Sequence, residues 1–287
     1  GQQPTAWCGT DYYLEKEFKK KPGAKAEFEK QYVKMGMYIN HVSIQAEKVK
    51  VKHIIPVVVH VIHDNGNGNI TKAQVEDGIE VLNEDYARMN SDTSQTRAIF
   101  KPYAANSEFE FRLAKKDPNG NCTEGIVRIN SPLTNNANDD VKYTSNGGSS
   151  AWPTNKYLNI WLVNTIEGSG PGIILGYAYY PAWANSNIYG ALIRNDYFGR
   201  FGTSSSDGRT ATHEVGHNLG LPHTFDSGCG SNCSSSGDYI CDTPPAANDT
   251  YGCASSQNSC SNDVGAGSPY TSDVVDQIEN YMSYDYC

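Results

Sequence analysis

The sequence His213-Glu214-Val215-Gly216-His217-Asn218-Leu219-Gly220-Leu221-Pro222-His223 decides the predicted fold and site. In a helix, His213 and His217 project from one face, one turn apart, and can bind one metal ion. Glu214 lies beside the first histidine, where a carboxylate can accept a proton from a metal-bound water. Gly220 can end the helix in a left-handed conformation, so that the chain turns and presents His223 as a third ligand. Three protein ligands and one open position predict a catalytic zinc site, because a structural site has four ligands.

The alternative is a chance H-E-x-x-H sequence on a solvated helix. The extended motif fixes five residue identities in eleven positions and contains three of the seven histidines in the chain. This specificity favours the metal site.

The metal-binding helix is predicted to begin near Ser206 or Asp207, either of which can act as its N-cap, and to end at Leu219. Ala211, Val215 and Leu219 share the face away from the histidines. We therefore expect these three side chains to anchor the helix in the core.

The charge of the chain is unevenly distributed. Its 287 residues, enough for one large or two modest domains, have a net charge of −9. Residues 1–53 have a net charge of +4 and the remainder −13, so the N-terminal part is expected to be attracted to the rest. No Lys or Arg follows Arg209. This argues against nucleic acid or a membrane surface as partner and leaves room for calcium or a cationic substrate side chain. A monomer is expected.

Cysteine usage indicates the compartment. Six of the eight cysteines lie in residues 229–287, a segment rich in Ser, Gly, Asn and Asp, which predicts disulfides formed in an oxidising environment. A structural zinc site at Cys229 and Cys233 is the alternative, but the other cysteine spacings are irregular. No apolar run is long enough for a membrane helix. We expect a secreted protein whose signal peptide has been removed.

Periodicity predicts an α+β fold with a mixed sheet packed on two long helices. Helices are expected over residues 11–40, broken at Pro22-Gly23, and over residues 71–88, with a capping box of Thr71 and Gln74. Strands are expected at residues 54–62, 109–113, 157–163 and 176–181, the last at an edge of the sheet.

The zinc motif followed by Asn280-Tyr281-Met282-Ser283-Tyr284 resembles the metzincin clan of zinc endopeptidases. Residues 219–225 and 237–244 and the sequence Cys8-Gly9-Thr10 are similar to the pappalysin family, in its bacterial ulilysin- and mirolysin-like branch, as a proenzyme. The resemblance covers about residues 54–287 and the short N-terminal motif. It implies a metzincin catalytic domain with a twisted mixed sheet, two long helices above the cleft and an irregular, disulfide-stapled lower subdomain.

The resemblance also implies a domain division and an activity. Residues 1–52 would be a pro-segment that inhibits its own chain, and residues 53–287 the catalytic domain, with an upper subdomain at 53–223 and a lower one at 224–287. The expected activity is hydrolysis of protein or peptide substrates, which would bind extended along the edge strand at 176–181. The alternative is a secreted adhesion or carbohydrate-binding protein with a structural metal, which would need neither Glu214 nor Tyr284.

Further residue roles follow from the resemblance. Met282 would form an apolar floor beneath the metal, and Tyr284 would help to stabilise the oxyanion, although a tyrosine there could simply pack against its neighbours. Asp238, Asp242 and Thr243 would lie in a calcium-binding loop. A turn stabilised by Asp and Thr side chains explains these three residues equally well without metal.

Cys8 would bind the zinc in place of water and keep the enzyme latent. A disulfide between Cys8 and Cys122 is the alternative. The family pattern also suggests a pair of Cys253 with Cys287. It further suggests that Cys260 pairs with Cys229 or Cys233, and Cys241 with the one that remains.

The family leads us to expect a preference for Arg or Lys after the scissile bond. The chain ends at Cys287, before residues that in relatives help to shape the specificity pocket. Lys48, Lys50 and Lys52 lie at the expected junction. Autolytic removal of the pro-segment is therefore predicted near these lysines.

Overall fold

A computed structural model describes residues 7–43, 51–168, 173–181, 187–261, 263–265 and 267–285. Within these ranges the helices are α1 Thr10–Lys20, α2 Ala24–Ser43, α3 Lys72–Tyr86 and α4 Arg209–Asn218. The strands are β1 His53–His63, β2 Phe109–Leu113, β3 Ile126–Asn130, β4 Leu158–Val163, β5 Gly176–Ala178 and β6 Ala191–Arg194. None of the described helices combines the length and the apolar character that crossing a membrane requires.

The chain forms two compact units. The first comprises residues 1–17, 51–94 and 105–219, and the second comprises residues 18–50, 95–104 and 220–287. The break that Pro22-Gly23 predicts in the N-terminal helical region is confirmed, because α1 ends at Lys20 and α2 begins at Ala24.

The first unit is built on a mixed sheet with strand order β2-β1-β4-β6-β5, and β3 also pairs with β1. Every described pair is parallel except β5 with β6, which is antiparallel. The mixed α/β architecture is thus confirmed, with β5 at the predicted edge. Strands β3 and β6 were not predicted, since their short sequences have no clear alternation of apolar and polar residues.

Both faces of the sheet are covered, so residues 57–62 of β1 are all buried. One face packs on helices α3 and α4 through Val57, Val59, Val61, Val75, Ile79, Leu82, Ala211 and Val215. The other face packs its own cluster of Ile62, Trp161, Val163, Tyr177 and Leu192. Two hydrogen bonds join α3 to α4: Tyr86 Oη donates to Thr212 O (3.1 Å), and Thr212 Oγ1 donates to Asp85 Oδ2 (2.6 Å).

Helix α3 has the predicted N-cap but lacks the predicted capping box. Thr71 Oγ1 accepts the backbone N–H of Gln74 at 3.1 Å. The side-chain amide of Gln74 turns away and donates to Asn195 O and Phe198 O, each at 3.0 Å. Gln74 therefore anchors the loop after β6, because it is fully buried and an unpaired amide there would be costly.

The start of α4 differs from the prediction. The helix begins at Arg209 after Gly208, whose φ of +83° is left-handed, and no side chain caps it. Asp207 Oδ1 instead accepts the N–H of Arg209 at 3.1 Å. Leu219 is 36% exposed, so its assignment to the core face was wrong, whereas Gly220 makes the predicted left-handed turn with φ +100°.

The second unit has little regular structure beyond α2 and is stapled by disulfides, as predicted. Cys229 pairs with Cys260, and Cys233 pairs with Cys241. This arrangement is one of the two that the family pattern left open. Cys287 lies outside the described residues, so the expected pair of Cys253 with Cys287 stays a prediction. Tyr32 of α2 is buried, with its ring centroid 4.5 Å from that of Phe28.

Candidate metal centre

Helix α4 carries two predicted zinc ligands, His213 and His217, and the predicted base, Glu214. The Nε2 atoms of His213 and His217 lie 3.1 Å apart, and their rings are nearly perpendicular, at 89°. His217 is fully buried, and its ring meets that of Tyr180 at 74°, with 5.3 Å between centroids. The four-residue spacing thus gives the convergence of nitrogens that the sequence predicts.

Cys8 lies beside these histidines. Its Sγ is 3.5 Å from His217 Nε2 and 3.6 Å from Glu214 Oε2. Neither Cys8 nor Cys122 is in a disulfide, which excludes a bond between them.

The distances between the His213, His217 and Cys8 ligand atoms match the geometry that zinc requires. Tetrahedral coordination with usual bond lengths separates two nitrogen ligands by ~3.3 Å, and a nitrogen from a sulfur ligand by ~3.6 Å. The 3.1 Å between His213 and His217 and the 3.5 Å between His217 and Cys8 agree with these separations. Two imidazoles and one thiol are also ligands that zinc prefers, so these side chains fit the ion.

The backbone on both sides of Cys8 pairs with the edge strand β5. Gly9 N donates to Gly176 O, and Leu175 N donates to Trp7 O, both at 2.8 Å. Cys8 forms a parallel bridge with Gly176. The N-terminal segment therefore occupies the free edge of the sheet, where an extended peptide would otherwise add a strand.

Glu214 is 1% exposed and packs against β5. A Cβ atom at Gly176 would lie 2.7 Å from Glu214 Cγ, so any larger residue there must displace the glutamate side chain. Thr10 Oγ1 accepts the N–H of Ala178 at 3.0 Å and lies 3.3 Å from Glu214 Oε2. The carboxylate of Glu214 is thus in contact with hydrogen-bond donors of the N-terminal segment. Nothing in the sequence indicates the role of Gly176, because Glu214 lies far from it along the chain.

The third predicted ligand, His223, belongs to the second unit and is fully buried. Its Nδ1 lies 3.1 Å from Asp226 Oδ1, and its backbone N–H donates to Asp226 Oδ2 at 3.2 Å. A carboxylate that accepts Nδ1–H fixes the ring and leaves Nε2 as the ligand atom. Asp226 was not predicted, although its position three residues after His223 was a usable signal.

Tyr284 and Met282 lie near His223 within the second unit. The rings of His223 and Tyr284 are 4.9 Å apart and nearly perpendicular, at 74°. Met282 is 4% exposed, and its carbonyl accepts the N–H of Thr224 at 3.3 Å. Asn280 Oδ1 accepts the N–H of Met282 at 2.9 Å, which stabilises the turn.

The predicted calcium residues lie next to the Cys233–Cys241 disulfide. Asp238 is 5% exposed, and its Oδ1 accepts the N–H of Ile240 at 2.9 Å. Burial raises the pKa of Asp238 to about 8, because removing a carboxylate from water disfavours its charge. Thr243 is buried as well, and hydrogen-bonds to this carboxylate, whereas Asp242 is exposed. These hydrogen bonds suit a metal-free turn as well as a cation site, so calcium at these residues stays a prediction.

A mixed sheet packed on a helix that carries His213 and His217 beside the buried Glu214 defines the class of metallopeptidases. Comparison with known sequences identifies the family. Residues 136–287 match the peptidase M43 family, described as Pregnancy-associated plasma protein-A. The chain belongs to this family, the pappalysins of the metzincin clan. It is an extracellular metalloendopeptidase, and the family implies a zinc cofactor.

Individual proteins similar to this chain support the family assignment. An "Extracellular metalloprotease" of Arthroderma otae is 30% identical over 239 residues, which cover 81% of this chain and 70% of that protein. The solved structure of mature mirolysin from Tannerella forsythia in complex with a cleaved peptide is 40% identical, with a TM-score of 0.66, and covers 82% of this chain and 85% of that one.

The structure of a promirolysin mutant from Tannerella forsythia is 34% identical, with a TM-score of 0.75. It covers 98% of this chain and 87% of the promirolysin chain. This match supports the proenzyme form.

Proposed function

We propose that the chain is a latent zinc endopeptidase in which Cys8 blocks the metal site. His213, His217 and His223 would hold the zinc, with Cys8 as the fourth ligand. The observation that carries this proposal is the position of Cys8 Sγ, 3.5 Å from His217 Nε2 and 3.6 Å from Glu214 Oε2. One thiol thus contacts both a metal ligand and the catalytic base.

Zinc, when bound, would polarise the scissile carbonyl and lower the pKa of a water molecule in the site. Glu214 would accept the proton of that water at Oε2 and later donate it to the leaving amine. The hydroxyl of Tyr284 would donate to the oxyanion of the intermediate. Asp226 would hold His223 in its orientation, and Met282 would exclude water beneath the ligands.

The substrate would bind extended along β5. The carbonyl of Gly176 and the backbone of Ala178, now bonded to Gly9 and Thr10, offer one acceptor and one donor for an added strand. Residues 1–52 would therefore act as a pro-segment that covers both the base and the substrate edge. The catalytic domain would comprise residues 53–287, with subdomains at 53–223 and 224–287.

The site for removal of the pro-segment is expected near Lys48, Lys50 and Lys52. Lys48 and Lys50 lie outside the described residues, and Lys52 pairs with Glu110 while remaining exposed. We also propose a preference for Arg or Lys after the scissile bond, since an acidic stretch without Lys or Arg follows Arg209. We also propose that Asp238, Asp242 and Thr243 bind calcium.

Glu214→Ala tests the proposal because it removes the base and spares the metal ligands. We expect Glu214→Ala to bind one zinc per chain, to cleave no peptide and to keep its own N-terminus during prolonged incubation. The parent chain should cleave peptides after activation and lose this activity when a chelator removes the metal. A Glu214→Ala chain that cleaves peptides or matures at the parental rate would exclude the assigned role of Glu214.

A further inference from the structure

Tyr13, near the start of α1, belongs to the proposed pro-segment and packs on residues of the proposed catalytic domain. Its side chain is 3% exposed. Its ring stacks on that of Tyr177 with 3.8 Å between centroids and 14° between planes. Its hydroxyl donates to Glu167 O at 2.8 Å. The phenol is therefore bound through both its face and its hydroxyl.

The ring of Tyr177 is held in place by contacts that do not involve Tyr13. The Tyr177 hydroxyl donates to Asp139 Oδ1 at 2.9 Å. The same carboxylate accepts from Tyr179 Oη at 2.7 Å and pairs with the buried Lys142 Nζ at 2.8 Å. This network fixes the stacking surface, so that Tyr177 keeps its orientation when Tyr13 leaves.

The acceptor for the phenol hydroxyl is fixed independently as well. The N–H of Glu167 donates to Ala137 O at 2.8 Å, and Glu167 Oε2 accepts from Asn138 Nδ2 at 2.7 Å. The carbonyl of Glu167 thus stays near its present position without the N-terminal segment.

A substrate on β5 would bring a side chain to the same place. Residues paired across adjacent strands share one face of the sheet and lie close enough to interact. The outer edge of β5 now bonds to Gly9 and Thr10, so removing the pro-segment exposes this edge and the face of Tyr177 together. The substrate residue paired with Tyr177 would then lie over its ring.

We propose that Tyr177 and the carbonyl of Glu167 form a substrate subsite for an aromatic side chain, with tyrosine preferred over phenylalanine. This inference rests on the proposed endopeptidase function and deepens it. Stacking selects an aromatic ring, and the carbonyl of Glu167 selects a hydroxyl donor.

Lys16 is not part of this subsite. Its Nζ pairs with Glu167 Oε1 at 3.1 Å, and it follows Tyr13 by three residues on the same helix. An extended substrate cannot reproduce this spacing, because successive side chains of a strand point to opposite faces. A substrate can therefore reproduce the contact of Tyr13 with Tyr177, but not the ion pair of Lys16.

The test uses the full chain, activated by its own maturation, and a set of quenched fluorescent peptides. Each position on either side of the cleaved bond carries Ala, Leu, Phe or Tyr in turn. At one position we expect kcat/KM for Tyr to exceed that for Ala by about ten-fold, with Phe between them and Leu close to Ala.

Two variants at one position provide the matched comparison. Tyr177→Phe and Tyr177→Leu both lose the hydrogen bond to Asp139, but only Tyr177→Phe keeps the ring. We expect Tyr177→Phe to retain the aromatic preference and Tyr177→Leu to reduce it to less than about two-fold. The readout is a ratio of rates for two peptides, so partial misfolding, which lowers both rates, cancels.

Equal rates for Ala and Tyr at every position, in a chain that cleaves the peptides, would overturn the subsite and leave the endopeptidase function intact. A preference that survives in Tyr177→Leu would also overturn it. A zinc-loaded, matured chain that cleaves no peptide would overturn the proposed function and the subsite together.

Discussion

Gly176 and Glu214 approach each other so closely that a Cβ atom at position 176 would lie 2.7 Å from Cγ and 3.1 Å from Oε1 of the glutamate. Gly176 lies in the edge strand on which the substrate is proposed to bind, and Glu214 is the proposed base. The position of the edge strand therefore determines the position of the proposed base.

Gly176→Ala should lower kcat because the added methyl group displaces Glu214. A shift of about 1 Å in a catalytic group costs about 10²-fold in rate. Zinc content and thermal stability, measured on the same preparation, should remain close to those of the parent chain. Full activity in Gly176→Ala would show that the base tolerates the shift.

Cys8→Ala should shorten the lag before peptide cleavage, because it removes the thiol from the metal ligands and from Glu214. The matched control is Cys122→Ala, since Cys122 is the exposed cysteine outside the disulfides. The control should stay as latent as the parent chain. Sequencing of newly formed N-termini measures the rate of maturation, and a continuous peptide assay measures the rate of cleavage. Unchanged latency in Cys8→Ala would contradict the thiol block.

Asp226→Asn should weaken zinc binding by about 10- to 100-fold, the usual effect of losing a carboxylate that orients a ligand histidine. Titration against a competing chelator measures this affinity. Asp249→Asn alters an exposed carboxylate of the same unit and should bind zinc as the parent does. Equal affinities in both variants would mean that Asp226 does not orient His223.

His60 should make the fold less stable in acid. It is fully buried between Ser149 and Asn159, stacks on Trp161, and burial lowers its pKa to about 4. Between about pH 6.5 and pH 4 the unfolded chain binds a proton that the folded chain does not, so stability falls as pH falls through this window. The loss reaches about 3 kcal/mol.

Urea unfolding of the metal-free chain at pH 7 and at pH 4.5 measures this effect. His60→Gln should lose much of the pH dependence, whereas His53→Gln, at an exposed position of the same strand, should keep it. The same pH dependence in His60→Gln as in the parent would assign it to other groups.

Calcium should stabilise the second unit through Asp238. At a concentration about 100 times its Kd, calcium should raise the free energy of unfolding by about 2.7 kcal/mol. Thermal unfolding in a Glu214→Ala background avoids autolysis. Asp238→Asn should abolish the stabilisation, and Asp249→Asn should retain it. A calcium effect of equal size in both variants would place the cation elsewhere.

The sequence alone determined the parts of this protein whose interactions are local. The spacing of His213, His217 and Glu214 follows from one turn of helix, and the turn at Gly220 follows from the freedom of glycine at positive φ. The β-branched sequence of residues 54–62 likewise predicts a strand. These features needed no knowledge of distant residues.

The remaining features depended on the tertiary structure. Gly208 rather than Asp207 occupies the N-cap position of α4, and Gln74 anchors a distant loop instead of closing a capping box. The contacts of Gly176 with Glu214 and of Tyr13 with Tyr177 join residues far apart in sequence. Composition and periodicity encode which side chains avoid water, but the partner that a buried group finds is decided only when distant segments pack together.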